Sequence, residues 1–211
     1  MQWRKLWKKC CDEVEFAEKL NTLPPEEQCR QLSLIAAEDR QCGRKLFLYL
    51  SAASVFEQVR ERSAFELGQF EEEEVCRHLA FLAERDSSPA VRVMALRQLS
   101  RLRHSRPELL VPICGRIYLM DESALCRMHA CAILCLTKQL PVRNLLRFLS
   151  YAHRELRLHV LEYLNRLDTG EFEEREIYRT IKQCLTEEHD ASLVRAIVCF
   201  RHEYDTGCAW A

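Results

Sequence analysis

Glycine and proline are scarce in this chain: there are 5 Gly and 6 Pro among 211 residues. A fold built from many short strands needs frequent turn residues, so the scarcity excludes a β-sandwich or barrel. A surplus of either charge is also absent, because 31 basic side chains face 32 acidic ones for a net charge of -1. Nucleic-acid binders draw much of their affinity from phosphate neutralisation and normally carry a basic surplus or stripe. The overall balance therefore argues against nucleic acid as the partner. No run approaches about 18 consecutive apolar residues, so no membrane-spanning helix is expected. The basic start of the chain leads into no apolar segment of the kind a secretory signal needs. The sequence holds no P-loop, no dinucleotide-type glycine pattern and no Ser-His-Asp motif.

What is present favours helix. Leu, Glu, Arg and Ala dominate, and 48% of the residues are hydrophobic, which is ample for a folded protein. The 12 Cys residues are scattered, mostly at apolar positions of expected helices, where Cys acts as a small hydrophobe. With no secretory signal they are expected as reduced thiols in a cytoplasmic protein.

Apolar spacing places a first amphipathic helix over about residues 2–20, with Trp3, Leu6, Trp7, Cys10, Val14, Ala17 and Leu20 on one stripe. Asn21-Thr22 offers an N-cap for a helix opening at Pro24-Pro25 and ending near Asp39. A long helix is expected over about 41–63, then a loop over 65–70, and Glu71–Glu74 suits the positive end of the next helix. From there helices pair regularly. The first members are expected at about 72–84, 107–119, 141–151 and 172–187, and the second at about 89–103, 122–139, 153–167 and 190–204. Pro89, Pro107 and Pro141 mark three of the starts.

The second members share a phrase. Asp86-Ser-Ser-Pro89-Ala-Val91-Arg92-Val-Met-Ala95 returns as Asp121-Glu-Ser-Ala-Leu-Cys126-Arg127-Met-His-Ala130, with looser copies around Arg157 and Arg195. A fixed phrase returning every 30 to 38 residues marks an array of stacked helical pairs. Asp86, Pro89, Val91, Arg92 and Ala95 resemble the second helix of a HEAT repeat, and the bilin-lyase type of HEAT-like repeat is similar. The resemblance implies that Asp86 with Arg92, and Asp121 with Arg127, form a structural ladder between repeats. Arg157 and Arg195 extend it, but Tyr151 and His189 stand where the Asp should be. Upstream, Asp39 and Arg44 give a faint echo. The expected fold is all-α: a right-handed α-α superhelix of about five antiparallel helix pairs over 23–211, preceded by an amphipathic helix over 1–22 that caps the stack or docks on a partner.

Chemistry is harder to place. Cys126, His129, Cys131 and Cys135 cluster on one helix, yet a single helix cannot close a tetrahedral zinc site. Laid in register, Cys126 and Cys131 take the slots of Val91 and Leu96, so packing is the expectation. His129 and His159 share the Met94 slot and would stand about 8–10 Å apart, one helix spacing. The iron-binding deoxyhypusine hydroxylases carry repeated His-Glu pairs, and here only His202-Glu203 occurs. The HEAT-like DNA glycosylases place aromatics on a basic concave face, but Trp occurs here only at 3, 7 and 210. No catalytic group, metal or cofactor is therefore called for.

The function expected is a non-enzymatic scaffold or adaptor that presents a concave helical face to a protein partner. The same register puts Arg97 with Glu162, and Arg101 with Arg166 and Tyr204, at variable positions outside the core slots. Two alternatives stand beside it. One is a cofactor-handling accessory protein of the bilin-lyase type. The other is a peripheral membrane adaptor, with Trp3 and Trp7 in the interface and Cys10 and Cys11 as acylation sites.

Overall fold

The computed structural model describes residues 13–38, 40–102, 106–151, 153–167 and 171–187. The expected helix at 190–204, and with it Arg195 and Tyr204, lies outside these, as do Trp3, Trp7, Cys10 and Cys11. The described residues form helices and no strand. In chain order these are α1 (Glu13–Leu20), α2 (Pro25–Glu38), α3 (Arg40–Ala53), α4 (Glu57–Leu67), α5 (Glu73–Arg85) and α6 (Pro89–Leu99, extended by a 3-10 turn to Leu102). They continue as α7 (Pro107–Met120), α8 (Ala124–Leu136), α9 (Arg143–Leu146, then a 3-10 turn over Arg147–Ser150), α10 (Arg154–Leu164) and α11 (Glu171–Glu187). The fold class is all-α. None of the described helices is long and apolar enough to cross a membrane.

The chain divides into two compact units, Met1–Ile113 and Cys114–Ala211. The first unit buries Phe16, Leu20, Leu32, Leu46, Phe47 and Leu50 with Leu67, Leu79, Leu96 and Leu99. In it α4 packs on α2, α3 and α6, and α5 packs on α6. The second unit has its own core, where Met128, Cys131 and Cys135 of α8 meet Leu145, Phe148, Leu156, Val160, Tyr163, Ile177 and Ile181.

Sequence and structure part company at three places upstream. The single helix expected over 41–63 is two helices, because the chain breaks at Ser54, Val55 and Phe56 between α3 and α4. The loop expected over 65–70 begins later, since α4 runs to Leu67 and only 68–70 lie outside it. Thr22 does not cap α2: its hydroxyl donates to the Lys19 carbonyl at 2.8 Å and so finishes α1. Downstream, the expected helix over 141–151 shrinks to one α turn and a 3-10 turn.

The break at Ser54 exposes a further copy of the sequence phrase, where the expectation had looked to Arg44. Val59, Arg60 and Ser63 occupy the slots of Val91, Arg92 and Ala95, and all of Val59, Ser63, Val91 and Ala95 are buried. Arg44 instead pairs with Glu72 at 2.8 Å, outside the phrase.

Candidate interaction surface

Helices α4, α6, α8 and α10 each follow a connector that ends in the same backbone conformation. Its last residue is extended, with φ/ψ of -88°/120° at Phe56, -88°/124° at Ser88, -77°/120° at Ser123 and -75°/112° at His153. Before Pro89 this region is enforced, since proline disfavours a helical residue ahead of it. The turn is closed locally. Oδ1 of Asp86 accepts from the Ser88 amide at 2.8 Å, Oδ1 of Asp121 accepts from the Ser123 amide at 2.8 Å, and Oγ of Ser54 accepts from the Phe56 amide at 3.3 Å.

The phrase's arginine then returns to the connector. Nη1 of Arg60 donates to the Ser54 and Val55 carbonyls at 3.0 and 3.5 Å. Nη1 of Arg92 donates to the carbonyls of Asp86 and Ser87 at 2.9 and 3.4 Å, and Nη1 of Arg127 to those of Asp121 and Glu122 at 2.6 and 3.0 Å. Connector carbonyls have no place in a helix ladder, and a guanidinium fork six residues on satisfies two of them at once.

Between consecutive connectors of the first unit there is a rung. Nε and Nη2 of Arg60 donate to Oδ2 and Oδ1 of Asp86 at 2.9 and 3.0 Å, and the two side chains are only 12% and 6% exposed. The Asp86 carboxylate lifts the Arg60 guanidinium further above its ordinary range through that hydrogen bond. Asp86 and Arg92 thus meet through the connector backbone, while the carboxylate reaches the preceding arginine. Asp121 and Arg127 repeat the backbone part. Arg157 follows Tyr151, whose ring stacks on Phe148 at 5.4 Å instead of closing the turn.

The core slots explain the thiols. Cys126, Cys131 and Cys135 are buried, and Cys131 is held far above the usual thiol range by its hydrogen bond with Cys135 and by burial. Burial also raises Cys29 and Cys76. A raised thiol disfavours the thiolate that nucleophilic and metal chemistry require. Among the described residues no three His, Cys, Asp or Glu side chains converge as ligands.

The two histidines stand closer than the register suggested. Their ring centroids are 5.0 Å apart, against the expected helix spacing, because that spacing separates backbones and both side chains reach into the gap. His129, fully buried on α8, shares a 2.9 Å hydrogen bond through Nδ1 with the Tyr163 hydroxyl of α10. Around this buried pair lie two of the predicted site residues. Glu162 accepts from or pairs with His159 Nδ1 at 3.1 Å, and the Arg166 guanidinium covers the Tyr163 ring at 5.4 Å. Both Glu162 and Arg166 are exposed. The second unit therefore brings Glu162, His159 and Tyr163 of α10 together with Arg166 of the turn that follows it.

The first-unit residues are placed differently. Arg97 is half-buried and acts on Glu61 of α4, whose carboxyl is raised by burial and by Glu57 and partly lowered by Arg97. Arg101 is exposed in the 3-10 turn and reaches Oε1 of Gln98 at 3.4 Å. The phrase position shared by Arg97 and Glu162 is not outward in every copy of the phrase, since its α8 occupant, Ala132, is fully buried.

One contact had no signal in the sequence. Ser51 of α3 and His78 of α5 lie 2.7 Å apart, Oγ to Nε2, and burial pulls the His78 imidazole below its ordinary value. The spacing is that of a nucleophile and its base, but Ser51 is fully buried and its hydroxyl also reaches the Leu48 carbonyl at 3.1 Å. The hydroxyl is sealed in the core, so the contact reads as packing chemistry. Compared with protein-family models, curated proteins and solved structures, the chain finds no match.

Proposed function

We propose that this chain is a non-enzymatic protein-binding scaffold: a HEAT-like α-solenoid of about five antiparallel pairs whose second helices supply the binding face. One observation carries the reading. The connectors before α4, α6 and α8 share an extended last residue and one arginine-to-carbonyl lock, as expected of a repeat array built from local units. Such a body offers side chains on an extended surface, and its polar anchors are committed to the connectors.

On that surface, Glu162 and Arg166 form the best-prepared patch. Arg166 is oriented by a buried tyrosine, and that tyrosine is fixed by His129. Arginine and tyrosine that are ordered before binding lose little freedom on association, which favours hot spots. The test is quantitative capture from cells with the full chain, comparing wild type with Glu162→Lys/Arg166→Glu. At least one protein is expected to drop roughly tenfold in recovery while the unfolding midpoint stays unchanged. An identical captured set would count against the scaffold reading.

A further inference from the structure

Two thiols at the end of α8 have a use that the scaffold reading does not absorb. Cys131 and Cys135 stand one helical turn apart on the same face of α8, and both are free. They share a hydrogen bond, which with burial holds Cys131 far above the usual thiol range. Sγ of Cys135 also reaches the Pro141 carbonyl at 3.6 Å, in the segment that follows the helix. Burial pushes the Tyr118 phenol of α7 up, and the nearby Cys131 and Cys135 add to that push while Arg147 offsets part of it. Two thiols, a phenol and a carbonyl thus meet at one place in the second unit.

The place opens toward the helix end. Cys131 is fully buried, but Cys135 is 6% exposed and precedes the last residue of α8. Beyond it the backbone leaves the helix at Thr137, and Lys138, Gln139 and Pro141 are exposed. Helix ends fray, and such an end opens locally at small cost.

Spacing and ligand count exclude two uses of the pair. A disulfide needs Cβ atoms about 3.5–4.5 Å apart, against about 5–6 Å for neighbours one helical turn apart. A structural zinc needs a closed tetrahedral shell of protein ligands, and among the described residues no such group of His, Cys, Asp or Glu converges. An atom that bridges two sulfurs and leaves no net charge meets neither obstacle.

We infer that Cys131 and Cys135 form a dithiol site for a small trivalent arsenical. The condensation balances without a redox step. Methylarsonous acid exchanges its two As–O bonds for two As–S bonds, each thiol proton leaves with a hydroxyl, and two waters are released. Arsenic stays trivalent and keeps its methyl group, so two sulfurs complete its bonding. The product is neutral, so no charge has to be held in the apolar surroundings of Leu145, Leu156 and Val160. Raised thiols are no obstacle, because no thiolate has to persist. The second As–S bond closes within the chain, where the neighbouring thiol is present at high effective concentration.

The test exposes the full folded chain to methylarsonous acid, reads its intact mass, and maps the bridge after acid quenching and digestion. A bridge joining Cys131 to Cys135 is expected, resolved by mapping from the adjacent Cys10 and Cys11. It is expected to resist glutathione and to be released by a small dithiol at the same thiol concentration, as a chelate should. Half-saturation is expected to rise at least roughly tenfold in Cys131→Ala and in Cys135→Ala, each of which leaves a single As–S bond. Cys126→Ala removes an equally buried thiol of the same helix and is expected to leave the bridge unchanged. Mapping and release are read on the unsubstituted chain, so they stand even where a variant fails to fold. A bridge found only at other cysteines, formed only in urea, or unchanged in Cys135→Ala would overturn the inference. So would release by glutathione alone.

Discussion

The connectors at Asp86 and at Tyr151 begin and end in extended residues of similar dihedral angles but carry different chemistry. At Asp86 a carboxylate closes the turn and receives both guanidinium nitrogens of Arg60. At Tyr151 there is no carboxylate, and an aromatic ring stacked on Phe148 stands in its place. The helix that leads into the first connector, α5, spans Glu73–Arg85, whereas the one leading into the second is a single α turn and a 3-10 turn. The difference teaches that connector shape does not need the carboxylate, since Phe56, Ser88, Ser123 and His153 share it. The carboxylate adds a tie to Arg60 of α4. Where it is lost, the segment keeps its arginines outward.

The comparison breaks first at the tie. Asp86→Ala strands a nearly buried Arg60 and should cost about 3 kcal/mol in urea unfolding, while Tyr151→Ala loses a ring stack and should cost only about 1 kcal/mol. Equal losses would mean that the two connectors do the same work. Next comes the contact that seats α4 against α6. A Cβ at Gly68 would stand 2.1 Å from Oε1 of the buried Gln98, so Gly68→Ala should destabilise by about 2 kcal/mol.

The first unit also carries a pH dependence. His78 has an ordinary value of 6.5, and burial lowers it in the folded chain. Above 6.5 the imidazole is neutral in both states and its contribution is intact. As pH falls below 6.5 the unfolded chain takes up the proton first, so stability is lost until the folded value is reached. The slope for this group is at most about 1.4 kcal/mol per pH unit. It should flatten in His78→Gln, read from urea midpoints between mild acid and neutral pH. The smallest effect belongs to the second unit: Lys138, left-handed at φ 58°, follows α8 as its helix-ending residue. Lys138→Gly should therefore raise stability by about 0.5 kcal/mol.

Much of this was legible in residue spacing. Helices α5 to α8 and α10 follow from apolar periodicity and from Pro89 and Pro107, and the core placement of Cys126 and Cys131 follows from laying the phrase in register. The copy at Arg60 was hidden because Ser54 replaces Asp and no proline or glycine marks the break, so apolar spacing runs on through it. The His129–His159 approach and the Ser51–His78 contact depend on how far side chains reach across helices, which no one-dimensional register contains. Glu162 and Arg166 were chosen by slot, and the structure adds the buried His129–Tyr163 bond that holds their neighbourhood in place.

The most direct test of the ladder is a double-mutant cycle on Arg60 and Asp86, with Arg60→Met, Asp86→Ala and both together unfolded in urea. The structure predicts a coupling of about 2 kcal/mol, because each single change strands the other charge and the pair of changes removes both. Additive losses, with a coupling within about 0.3 kcal/mol of zero, would contradict it.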